Sequence, residues 1–207
     1  MAETAVYFNG LERTSVGVPE KLFARYMKLR GVDLFHAEVD WHNLNFTDIF
    51  AEATDYTRDV LQDVGRLTII GASAGGSLGV NVFSRIRKED QKTDVSLISL
   101  SGRLRIGDRQ HLEETALYRP GKQPSRAFID SVVRCDEVAT IQLTPDDKRR
   151  MLTVLPMTDG VVPPDTMTVD GVEQKTVPMV GHVPGIALGA LVTPGLINNL
   201  HSNQEVA

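Results

Sequence analysis

Three side chains of this sequence can cooperate in nucleophilic chemistry: Ser73, Asp159 and His182. A serine hydroxyl is a weak nucleophile until a base takes its proton. An imidazole can act as that base, and a carboxylate can hold its tautomer and stabilise the cation that forms. Residues 67–79 read Leu-Thr-Ile-Ile-Gly-Ala-Ser-Ala-Gly-Gly-Ser-Leu-Gly. An apolar run stops at Gly71, Ser73 follows two residues on, Gly75 two after that, and an amphipathic segment then begins. Gly-x-Ser-x-Gly between strand and helix is the nucleophile-elbow signature, in which a tight turn pushes one hydroxyl outward. Gly71 and Gly75 flank a turn in which a side chain would collide with the neighbouring strand and helix.

The same glycines fit a phosphate cradle less well. A P-loop requires Gly-x-x-x-x-Gly-Lys-Ser/Thr, and no Lys follows here. A dinucleotide fingerprint requires Gly-x-Gly-x-x-Gly, and Ser73 stands at its second Gly. The other two groups are placed like Ser73. Residues 151–158 form an apolar strand that runs into Asp159, and residues 175–181 form a second short strand that ends at His182. All three follow strand ends, the edge at which open α/β sheets bind ligands.

The chain order Ser73, Asp159, His182 is that of the α/β-hydrolase superfamily, which this sequence resembles from about residue 4 to about residue 200. Asp159-Gly-Val-Val-Pro163 resembles the family's Asp-x-x-Val-Pro loop, and Gly181-His182 its histidine loop. Phe8-Asn9-Gly10-Leu11 is similar to its His-Gly-x oxyanion loop, with Asn9 in place of His. The resemblance implies a Ser73–His182–Asp159 triad and an oxyanion hole built from the backbone N–H groups of Leu11 and Ala74. It implies a serine hydrolase of the carboxylesterase and lipase type that cleaves esters or related acyl compounds through an acyl-enzyme. It also implies no cofactor and a small-molecule acyl substrate. A non-catalytic small-molecule-binding protein on the same scaffold is the alternative.

The elements that must carry these groups can be read from the pattern. Strands are expected at 5–8, 33–39, 67–70 and 95–100, besides the two ending at Asp159 and His182. Helices are expected from Pro19 to Gly31, with Leu22, Phe23, Tyr26 and Met27 on one stripe, from Asn45 to Val64, closed by Gly65, and from Ala74 to Arg87. Short apolar strands alternating with helices indicate a parallel sheet covered on both faces. The family's first two strands have no counterpart here, so a single trimmed domain of about six mostly parallel strands is expected over residues 1–207. Residues 103–150 break the rhythm, at the place where the family carries a cap. A small cap or lid is expected there, with Phe128, Ile129, Val132 and Val133 on a short helix turned towards the cleft and Thr144 capping another.

Several residues compete with these assignments. Asp165, or Asp170 before Gly171, becomes the orienting acid if the strand ends later than Asp159. His42 follows Trp41 at a strand end within reach of the cleft, whereas His36 lies within that strand, His111 in the cap and His201 near the C-terminus. No histidine pair has the i, i+4 spacing of a zinc motif, so no metal site is expected. Trp41, Tyr118 and Phe128 are candidates for pocket walls. Cys135, the single cysteine, lacks a glycine turn and reads as a structural thiol.

Composition narrows the context. The chain has 207 residues, 42% of them hydrophobic and 24% charged, as in a soluble globular domain. A formal charge of −5 argues against a nucleic-acid surface, and Lys148-Arg149-Arg150 follows Asp146-Asp147 as a solvated helix face. One cysteine cannot form an internal disulfide, and no basic-then-apolar leader is visible, so a cytoplasmic location is expected. The apolar stretch from Ile186 to Ile197 is interrupted by Gly189, Pro194 and Gly195 and falls short of the roughly 20 residues that span a bilayer, so no stable membrane insertion is expected.

Overall fold

The computed structural model describes residues 3–11, 17–117 and 124–205. Among these residues six strands form one sheet: β1 (Glu3–Phe8), β2 (Val32–Ala37), β3 (Arg66–Ala72), β4 (Asp94–Leu100), β5 (Met151–Thr158) and β6 (Glu173–Val180). Their order is β2-β1-β3-β4-β5-β6, and every neighbouring pair is parallel. Central strands of such a sheet are buried on both faces and so need continuous apolar runs. Residues 67–72 of β3 and 95–100 of β4 are buried throughout.

Among the described residues, seven α-helices accompany the sheet: α1 (Val18–Leu29), α2 (Phe46–Val64), α3 (Ala74–Glu89), α4 (Arg109–Ala116), α5 (Arg126–Glu137), α6 (Pro145–Arg149) and α7 (His182–Glu205). Ile69 and Leu97 face a core shared with α2, α3 and α5. Ile70 and Ile98 face a second core on the other side, shared with α1 and α7. Local chemistry sets the helix ends. Asn45 accepts a hydrogen bond from the Asp48 N–H at 3.0 Å, and Gly65 closes α2 at φ +75°, a conformation that costs glycine little. Thr144 and Asp147 form a reciprocal capping box on α6, as the sequence indicated for Thr144.

The described residues of 103–150 carry three helices, α4, α5 and α6, where the sequence indicated two. Asp108 caps α4 by accepting from the Gln110 N–H at 2.9 Å. Helix α5 lies on α3 and α2. Ser77 and Ser131 share a hydroxyl hydrogen bond of 2.9 Å, and the Asn81 amide donates to the Ser131 carbonyl at 3.0 Å. Ile129 and Val132 are buried in that core and Val133 faces solvent, so of the four residues expected to face the cleft only Phe128 lines it. A π-helical stretch, Val138–Gln142, continues α5.

Helix α7 corrects the expectation of a short, interrupted apolar stretch. It is one helix of 24 residues that carries Pro194 inside it. By length and composition its segment His182–His201, with mean hydropathy 1.3, suffices to cross a bilayer. In this fold that helix packs on β4, β5 and β6. Leu196, Ile197 and Leu200 enter the core, and buried His201 has Nδ1 2.9 Å from a Glu3 carboxylate oxygen and Nε2 3.2 Å from the Thr68 hydroxyl.

Candidate active site

The carboxyl ends of the strands meet along one edge. Phe8 of β1 is level with Gly71 of β3, Ala72 with Leu100 of β4, and Thr158 of β5 with Val180 of β6. Asn9, Ser73, Asp159 and His182 therefore leave the sheet on the same side. At Ser73 the chain turns with φ +53° and ψ −119°, a strained conformation for a residue with a side chain. Two constraints hold it there. The Ser73 N–H donates to the Leu100 carbonyl at 3.0 Å, and α3 begins at the next residue. A β-carbon on Gly71 would lie 2.3 Å from the Gly75 carbonyl oxygen, and one on Gly75 would lie 2.2 Å from that of Phe8. Both glycines are thus required by close backbone approach, as the sequence pattern indicated.

Ser73, His182 and Asp159 form one hydrogen-bonded chain. His182 Nε2 lies 2.8 Å from Ser73 Oγ, and His182 Nδ1 lies 2.7 Å from Asp159 Oδ2. The other Asp159 oxygen, Oδ1, accepts the backbone N–H groups of Val161 at 2.8 Å and Val162 at 3.0 Å. Burial opposes charge on this carboxyl, and the hydrogen bonds from His182, Val162 and Val161 outweigh it, holding Asp159 below its ordinary value. An ionised carboxylate only accepts hydrogen bonds. Nδ1 therefore donates to Asp159, and Nε2 is the ring nitrogen that faces the Ser73 hydroxyl. Asp159 has a fully buried side chain and His182 one that is nearly so. Asp165 and Asp170 stay exposed and do not join the chain.

The loop after β1 lies against the serine. A β-carbon on Gly10 would sit 3.1 Å from Ser73 Cβ, so the backbone of 9–11 passes directly beside the elbow. Ala74 starts α3, where the first N–H groups lack helical partners. Leu11 is buried and lines the cavity with Asn9 and Gly10. Two residues after β2 brace this loop from behind. The Trp41 indole N–H reaches the Asn9 carbonyl at 3.5 Å, and His42 Nε2 lies 3.2 Å from the Leu11 carbonyl.

Several sequence expectations change here. Trp41 does not line the cavity: it is buried, with Phe128 edge-on at 6.1 Å. His42 supports the loop instead of entering the cleft, and Tyr118 lies outside the described residues. Buried His201 ties the C-terminal helix to the sheet. His111 Nδ1 accepts from Arg103 at 3.0 Å. Cys135 is fully buried, and burial pushes its thiol well above the ordinary range, which leaves it unreactive.

A cavity of about 680 Å³ opens at Ser73. Sequence reasoning missed most of its wall. Leu22, Phe23 and Tyr26 of α1 and Ile186, Ala190 and Leu191 of α7 contribute to it. The available signal was the α1 stripe of Leu22, Phe23 and Tyr26, which periodicity placed on one face of the helix without showing what that face meets.

No family model and no curated protein sequence matches the chain. Solved structures do. One of the metagenome-derived lipolytic enzymes LipS and LipT matches with a TM-score of 0.68 at 14% identity, over 96% of this chain and 94% of the other. Est1E from Butyrivibrio proteoclasticus matches with a TM-score of 0.64 at 14% identity, over 97% and 89%. An esterase from Pyrobaculum calidifontis matches with a TM-score of 0.65 at 14% identity, over 97% and 77%. With its six-stranded parallel sheet, its elbow at the end of β3 and these likenesses across nearly its whole length, the chain has the α/β-hydrolase fold.

Proposed function

We propose that this protein is a serine hydrolase that cleaves carboxylic esters or related acyl compounds. The observation that carries the reading is the unbroken hydrogen-bonded chain from Asp159 through His182 to Ser73, at the mouth of a largely apolar cavity. The structural likeness to a lipolytic enzyme and to esterases agrees with it.

In this mechanism Ser73 Oγ attacks the ester carbonyl carbon while His182 Nε2 takes the hydroxyl proton. The carbonyl π electrons move onto oxygen, and the backbone N–H groups of Leu11 and Ala74 receive that oxyanion. Such preorganised donors are worth about 10²–10³-fold in rate each. Asp159 stays ionised and stabilises the imidazolium. The tetrahedral adduct collapses, the carbon–oxygen bond to the alcohol breaks, and His182 returns the proton to the leaving oxygen. Water then repeats the sequence on the acyl-Ser73 ester, releasing the acid and restoring the hydroxyl.

Incubation with a fluorophosphonate followed by peptide mass mapping tests the reading. The expected result is a phosphonyl adduct on Ser73, p-nitrophenyl acetate turnover by the wild type, and loss of both in Ser73→Ala. A folded wild-type protein that neither labels nor turns over ester would be a binding protein on this scaffold.

A further inference from the structure

The two helices that share the second core, α1 and α7, do not cover the whole sheet. Helix α1 packs on β2, and α7 packs on β4, β5 and β6. Between them, among the described residues, no helix packs directly over the carboxyl ends of β1 and β3, and Tyr7 and Ala72 of those strands line the cavity. The sequence of α7 sets its sideways position. A β-carbon on Gly185 would lie 2.7 Å from Pro156, and one on Gly189 would lie 3.3 Å from Leu100, so these glycines let α7 sit close over β5 and β4. The next stripe round the helix, Ile186, Ala187 and Ala190, then faces the gap.

We propose that this groove between α1 and α7 binds the acyl chain of the substrate. The assignment rests on the hydrolase reading above and gives that site its substrate class: esters of aliphatic acids of medium length. Three observations carry it. The groove is continuous with Ser73, so a chain entering it begins at the reacting carbon. Its walls are apolar: Leu22, Phe23 and Ile186 with the small Ala187 and Ala190. The nearby carboxylate of Glu20 is turned back onto the Gly17 N–H at 2.9 Å. The groove also has an end. The last lining residues of the two helices meet where the Tyr26 hydroxyl donates to the Leu191 carbonyl at 2.6 Å. With 1.5 Å of rise per helical residue, His182 to Leu191 spans about 13 Å. An extended chain with bonds of about 1.5 Å fills that distance with roughly ten carbons. Arg103, the charged side chain elsewhere in the cavity wall, directs its donors to the carbonyls of Arg105, Ile106 and Asp108, to His111 and to Thr115.

The test compares kcat/KM for p-nitrophenyl esters from acetate to myristate in the full-length protein. Wild type should prefer chains of about eight to ten carbons. Ala190→Phe and Ala187→Phe, which fill the groove, should lower the decanoate-to-acetate ratio by about tenfold or more, since single methylene contacts already discriminate about tenfold. Tyr26→Ala should shift the optimum to longer chains by opening the far end. Val192→Phe, outside the groove on the same helix, should leave the ratio as in wild type. A wild type that turns over acetate without any chain-length preference overturns the groove and leaves the hydrolase reading standing. An unchanged ratio in both filled variants does the same. Discrimination among alkyl acetates, in place of acyl esters, would assign the groove to the alcohol and overturn the proposal. A wild type inactive on every ester overturns the hydrolase reading, and this inference with it.

Discussion

The carbonyl oxygen of Phe8 occupies the space that a side chain on Gly75 would need: a β-carbon built on Gly75 lies 2.2 Å from it. The elbow that presents Ser73 and the loop that carries Asn9, Gly10 and Leu11 are therefore in backbone contact. Neither can move without the other. This contact relates the nucleophile to the proposed oxyanion donors, and it supports the first prediction. Gly75→Ala must push β1 and its loop away from α3. Turnover of p-nitrophenyl acetate should fall about 10²-fold, the effect of displacing one oxyanion donor. A folded variant with wild-type turnover would show that the loop after β1 has no part in catalysis.

The acid has a similar internal control. Asp159→Asn should lower turnover by about 10⁴-fold, because an amide can donate to Nδ1 and so favours the wrong His182 tautomer. Asp165 lies only six residues further on, but it is exposed and outside the hydrogen-bonded chain. Asp165→Asn should therefore stay within about threefold of wild type, the spread that context alone produces at surface sites. Steady-state kinetics on both variants decide the matter, and the reverse ranking would remove Asp159 from the site.

Asp159 should also leave a mark on stability. Its folded-state carboxyl lies below its ordinary value despite burial, because His182, Val162 and Val161 all bond the charged form. A depressed folded value gives stabilisation that is present above the unfolded value, about 3.9, and is lost as pH falls through the folded one. Between about pH 5 and pH 2, urea unfolding of wild type should lose stability relative to Asp159→Asn. Two parallel curves through that window would contradict the assignment.

Arg87 provides a stability test away from the site. It is 3% exposed, and from the end of α3 it bonds Asp147 at 2.9 Å, Asp146 at 2.7 Å, and the carbonyls of Gln91 and Thr93. Removing Arg87 leaves buried Asp147 with only the hydrogen bonds from Thr144 on its charge, while Asp146 keeps Arg149 and Arg150, at a cost of about 1–3 kcal/mol. Arg87→Met should lose that much in denaturant unfolding while Ser73 still labels with fluorophosphonate, since the cluster lies at the amino-terminal edge of the sheet. A loss under about 1 kcal/mol would place Arg87 among ordinary surface pairs.

Much of the fold and the meeting of Ser73, His182 and Asp159 at the candidate site were legible because their causes are local. The run Leu67 to Ile70 is apolar whichever way the chain packs, and Gly71-Ala-Ser73-Ala-Gly75 can make only a few kinds of turn after it. Asp159 and His182 are marked in the same way, by strands that run directly into them, and parallel strands bring such ends to one edge of a sheet. Asn45, Gly65 and Thr144 announce helix ends through the hydrogen bonds and dihedral angles of a few neighbouring residues. Other features depend on which face of an element meets what, and composition does not encode that. Phe128, Ile129, Val132 and Val133 share one short apolar segment, yet the positions of α2 and α3 alone decided that three are buried, that one is exposed and that Phe128 reaches the cleft. Gly189, Pro194 and Gly195 read as interruptions, and packing on β4 to β6 carries the helix through them. Leu22, Phe23 and Tyr26 have the spacing of a core stripe. They line a cavity because α7, drawn towards β5 by Gly185 and Gly189, leaves the space above β1 and β3 open.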